Sequence, residues 1–98
     1  MISVKVKSAR GEVIRRIPVD PDFDPVLSGI DASVYPHLSV IDPYGDTVFN
    51  YLQVKRLLVE LELYRQACEI SPEFLENMRE MCELVLAGTH RFLWFIGE

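Results

Sequence analysis

Between Asn50 and Gly88 the chain carries two amphipathic segments back to back, each opened by its own start signal, and nothing else in its 98 residues constrains the fold as much. Asn50-Tyr51-Leu52-Gln53 reads as a capping arrangement, in which an Asn oxygen accepts from an early helical N–H and a Gln three residues on reaches back. Phe49 and Val54 stand at the positions of a hydrophobic staple. The segment that follows places Val54, Leu57, Leu58, Leu61, Tyr64 and Cys68 on one stripe, opposite Lys55, Glu62, Arg65, Gln66 and Glu69. Val59 and Leu63 fall off that stripe and either widen the core face or make a second apolar patch.

Ser71-Pro72-Glu73 opens the second segment, with Ser as N-cap, Pro at the first helical position, and Ile70 and Leu75 as a staple. Its stripe is Phe74, Leu75, Met78, Met81, Cys82, Val85 and Leu86, and Gly88 fits the left-handed position that ends many helices. The spacing thus predicts a helical hairpin with one buried side, which needs a sheet to cover it.

The rest of the chain supplies strands. Ile2, Val4 and Val6 alternate with Ser3, Lys5 and Lys7, and after Ser8-Ala9-Arg10-Gly11 a β-favouring pattern resumes over Val13 to Ile17, which is a β-hairpin with Gly11 in its loop. A two-residue loop would pair Val6 with Arg15 and a three-residue loop would pair it with Ile14, so the face taken by each arginine stays open. His37 to Ile41, HLSVI, reads as a strand. The closing RFLWFIG is apolar at consecutive positions, which predicts a central strand buried on both sides. The expected fold is one α+β domain, with a mixed or antiparallel sheet of four to five strands and the helical hairpin on one face.

Residues 18–36 hold four prolines, one glycine and four aspartates and show no period, so they form an irregular connection. Phe23, Val26, Leu27 and Ile30 are expected to pin it to the body.

Charge is unevenly spread in a chain of net −5. Residues 1–17 carry Lys5, Lys7, Arg10, Arg15 and Arg16 against Glu12, whereas residues 18–50 hold six aspartates and no Lys or Arg. The overall acidity argues against nucleic-acid binding. The basic hairpin lacks interleaved aromatics on its polar face to stack bases, and is expected to balance the Asp-rich loop. The N-terminus has no signal-peptide block and no apolar run spans a bilayer, which places the chain in the cytoplasm. Cys68 is expected near the turn of the helical hairpin and Cys82 about 15 Å down the second helix, beyond the roughly 7 Å that a disulfide allows, and both are read as reduced core thiols.

Two patches are candidate sites. Glu69, Glu73, Glu76, Glu80 and Glu83 recur at three- and four-residue steps, lining one side of the second helix and its approach with carboxylates that suit a basic protein partner. Val59 and Leu63 are candidate apolar anchors for that partner or for self-association. Asp42, Asp46 and Asn50 lie four apart in DPYGDTVFN, but they offer neither the spacing nor the closing Glu of a calcium loop. Turn and cap chemistry accounts for Asp42, Pro43, Gly45 and Asn50, leaving Tyr44 and Asp46 as a candidate ligand turn. His37 and His90 have no nucleophile or ligand pair to work with, and no glycine loop cradles a phosphate. The residues therefore predict no catalytic group, metal or cofactor.

At DPYGDTVFNYLQ and the closing LWFIGE the sequence resembles small uncharacterised single-domain bacterial proteins, a resemblance that brings no site residue with it. By size and charge it is similar in kind to immunity proteins. The expectation is a non-catalytic interaction domain, an immunity- or antitoxin-type inhibitor or accessory subunit; the alternative is a small ligand- or metal-binding domain or enzyme using the Asp42/Asp46 turn with His37.

Overall fold

The computed structural model describes residues 2–25, 29–67 and 70–98. Strands β1 (Ile2–Ser8) and β2 (Val13–Ile17) form the N-terminal hairpin, β3 (Asp46–Phe49) follows the Pro-Gly turn, and β4 (Arg91–Gly97) closes the chain. Between β3 and β4 stand helices α1 (Tyr51–Ala67) and α2 (Pro72–Ala87). The sheet order is β2-β1-β4-β3, with every neighbouring pair antiparallel. This is the expected α+β fold, with four strands and β4 central.

Strand alternation sends Ile2, Val4 and Val6 of β1, Leu93 and Phe95 of β4, Phe49 of β3 and Ile17 of β2 into the core. From the helices, Val54, Leu57, Leu61 and Tyr64 meet Phe74, Met78, Met81 and Val85 over that side of the sheet. The proline-rich connection is fastened by Phe23, whose ring centroid lies 5.0 Å from that of Phe74, 6.1 Å from Tyr64 and 6.2 Å from Phe95. Ile30 packs against the same core. Val26 and Leu27 lie outside the described residues.

Both helix starts form as their signals predict. Asn50 Oδ1 accepts from the Gln53 amide at 3.0 Å while Gln53 Oε1 accepts from the Asn50 amide at 2.9 Å, and Ser71 Oγ accepts from the Phe74 amide. The end of α2 differs from expectation. Gly88 is extended, at φ −119°, and the left-handed residue is His90, at φ 55°. The reason is Arg91, whose Nη1 donates to the Leu84 carbonyl at 2.9 Å and so satisfies the last turn from outside. Its side chain occupies the space that a Cβ on Gly88 would need.

The hairpin pairs Val6 with Arg15, then shifts so that Lys7 faces Val13. The shift is a bulge, and Gly11 takes φ +87° in the loop. Arg15 therefore shares the helix side of the sheet with Val6, and Arg16 shares the other side with Lys5.

The largest departure is at His37–Ile41, which is no strand. Leu38–Val40 forms a 3-10 turn. Its amides are claimed by a side chain 22 residues away: Glu60, on the buried side of α1, accepts from His37 N at 2.8 Å and Leu38 N at 3.0 Å. A carboxylate acting as a distant cap thus overrides the local β preference.

Candidate interaction surfaces

The carboxylates of α2 do not form one uninterrupted acidic stripe. Arg79 stands between Glu76 and Glu83, 4.0 Å from one and 3.4 Å from the other, and Arg15 reaches over from β2 to Glu80 at 2.9 Å. Glu73 sits in the first turn, where the helix dipole favours it. Glu69 lies outside the described residues. Between the helices runs a groove of about 410 Å³ whose rim pairs Glu62 with Arg65 and Glu76 with Arg79. These pairs relieve the repulsion that the spacing alone implies, so the carboxylates make a mixed polar rim.

Val59 and Leu63 are where the sequence places them, off the buried stripe, at 64% and 41% exposure. Leu52, at 57%, joins them. Positions 52, 59 and 63 fall on one side of a helix, directly away from Leu57, Leu61 and Tyr64. The row ends in a hollow of about 500 Å³ lined by Tyr51, Leu52, Leu86 and Phe92 among others.

In the turn, Asp42 Oδ1 accepts from the Tyr44 amide at 2.8 Å, and the Asp42 amide donates to Thr47 Oγ1 at 3.0 Å. A Cβ on Gly45 would come within 2.7 Å of the Asp42 carboxylate. Asn50 caps α1. Of the proposed ligand turn, Tyr44 is 77% exposed, and Asp46 opens β3 opposite Ile96. His37 is tied elsewhere, with Nδ1 2.5 Å from Glu60 Oε2 and its ring edge-on to Phe49. Glu60, 4% exposed, thus takes three donors. Its burial was not legible in a position flanked by Val59 and Leu61 until those neighbours had faces.

Cys82 is fully buried, and burial pushes its thiol up to about 12, so it is no nucleophile at neutral pH. Cys68 lies outside the described residues. Among the described residues no three His, Cys, Asp or Glu side chains converge as a metal would require, and no helix is long and apolar enough to cross a membrane.

The surface that sequence reasoning missed is the second side of the sheet. β4 is central but buried on one side only; Phe92, Trp94 and Ile96 point away from the helices and are half-buried among cross-strand neighbours. Register sets Lys5 between Arg16 and Trp94, Lys7 opposite Phe92, and Val48 on the far side of Trp94. Lys7 Nζ lies 4.2 Å from the Trp94 ring centroid, a cation–π contact. The hairpin cations thus do have aromatics beside them, contributed by a strand some eighty residues later. The signal was the consecutive apolar pattern of RFLWFIG, read as burial under a second layer that is absent among the described residues.

No family model, curated protein or solved structure matches the chain.

Proposed function

We propose that the chain is a small non-catalytic partner-binding domain, an immunity- or antitoxin-type inhibitor or an accessory subunit, which grips another protein through the outer side of α1. The observation that carries this reading is the row of Leu52, Val59 and Leu63, all more than 40% exposed on one side of one helix. A monomer gains nothing from such a row, whereas a partner that covers it recovers about 1 to 2 kcal/mol for each side chain taken from water. Val59 and Leu63 serve as anchors. Glu73, Glu76, Glu80 and Glu83 form the polar rim toward a partner with a basic surface. Buried pockets lined by apolar anchors and ringed by charge are the usual anatomy of a protein interface.

The test is co-expression of the tagged chain with the product of the adjacent reading frame, comparing the parent with the double variant Val59→Glu/Leu63→Glu. The parent is expected to retain the neighbour and the double variant to lose at least tenfold in affinity, about 1.4 kcal/mol, with an unchanged melting temperature. Light scattering on both proteins reports self-association through the same row. Equal retention by both proteins, or retention by neither with both monomeric, would remove α1 from any interface.

A further inference from the structure

We propose that the open side of the sheet is a platform for single-stranded nucleic acid, on which Trp94 and Phe92 stack successive bases while Lys5, Lys7 and Arg16 hold the phosphates. This goes beyond the protein-binding reading, since it rests on side chains of the sheet where that reading rests on Val59 and Leu63 of α1, and the two fail separately.

Three observations converge on it. The helices and the proline-rich connection pack on one side of the sheet, through Phe23, Phe74 and Tyr64, and the other side carries Trp94, Phe92, Ile96 and Val48 with no covering layer among the described residues. Trp94 and Phe92 point the same way on one strand about 6.7 Å apart, so each offers a ring of its own to a base. Finally, cations stand along the β1 edge of the rings by register, and none of Lys5, Lys7 and Arg16 makes an ion pair among the described residues. In a chain of net −5, the side that bears its only tryptophan also carries Lys5, Lys7 and Arg16, with Asp46 at the far corner.

Stacking is tolerant of base identity and needs a flat ring next to a positive groove, which is the arrangement present. The Lys7 ammonium already rests on Trp94. A base that stacks there displaces it toward the adjoining phosphate, so the same side chain serves free and bound states. Other occupants fit less well. A second copy placed symmetrically brings each set of cations against its like. An acidic peptide satisfies the cations and leaves the rings without a partner.

Because Trp94 is the only tryptophan, its emission reads the platform directly. Titration at low salt with an oligothymidine of about ten nucleotides, within the footprint of such platforms, is expected to quench it saturably. Affinity should fall with salt at a log–log slope of about −2, the value for three phosphates neutralised on a single strand. Lys5→Gln/Lys7→Gln is expected to weaken binding at least tenfold and flatten the slope. Phe92→Leu is expected to weaken it several-fold with the slope unchanged. Both variants carry surface changes, and a melting curve confirms that each is folded; Val59→Glu/Leu63→Glu should bind as the parent does. The proposal is overturned by the absence of saturable quenching up to about 10⁻⁴ M strand, the weak end of non-specific binding. It is equally overturned by quenching indifferent to the two lysines, by an equal response to polyglutamate of matched charge, or by a tryptophan signal that depends on protein concentration alone.

Discussion

Replacing Glu60 with Ala would leave the amides of His37 and Leu38 without their acceptor in a largely buried site, and His37 Nδ1 without its partner. Unsatisfied buried donors of this kind make the expected loss about 3 kcal/mol of unfolding free energy. Glu60→Gln keeps an oxygen for the two amides and offers its NH2 to a His37 ring that can present Nδ1 as acceptor, so its expected loss is nearer 1 kcal/mol. Urea denaturation of the three proteins decides the matter. An Ala variant as stable as the parent, or a Gln variant as damaged as Ala, would show that the carboxylate is not the clasp between the irregular connection and α1. At this scale burial is met in two ways: Glu60 is surrounded by hydrogen-bond partners, and Cys82 keeps its proton.

The helices were legible because period and cap agree over many residues, as at Asn50/Gln53 and Ser71/Phe74. The strands were less so. HLSVI has strand composition, but its backbone is settled by Glu60, a partner with no signature in the local pattern. DTVF is only four residues between a turn and a cap, so its neighbours' signals hid it. In β4 the consecutive apolar residues correctly marked a central strand, and they overstated its burial because periodicity reports the character of a face and not what lies over it. Among the site residues, the helical spacing of Val59 and Leu63 took them off the buried stripe and left open whether they widened the core, which their exposure decides. That of the glutamates could not show Arg15 arriving from another element. One close approach between elements was also invisible: Gly97 donates its amide to the Gly45 carbonyl at 2.9 Å, and a Cβ on Gly97 would run into the backbone of Pro43 and Tyr44. Backbone cannot step aside as a side chain can, so Gly97→Ala is expected to cost about 3 kcal/mol. Gly11→Ala, which meets only an unfavourable φ in open space, is expected to cost about 1 kcal/mol. Thermal melts that ranked the two the other way would refute the docking of β4 against the turn.

As a whole the molecule is two-sided. Its helical side carries paired glutamates and an apolar row, and its sheet side carries half-buried rings and cations without an ion pair among the described residues. Stability should be distributed unevenly too, since β1 and β4 are paired along both edges and β2 and β3 along one. Amide exchange is therefore expected to be slowest at Val4, Val6, Leu93 and Phe95 and faster across β2 and β3. Protection in β2 equal to that of β4 would contradict the strand order. The two central strands are also the first and last elements of the chain, with Ile2 opposite Gly97. Nearly the whole sequence must be looped out before they can meet, which delays closure of the sheet. During synthesis the hairpin emerges with one edge of β1 unpaired and Ile2, Val4 and Val6 uncovered, and it stays so until Arg91–Gly97 has left the ribosome. The nascent chain, rather than the finished protein, is the form that most needs a chaperone to shield it from aggregation.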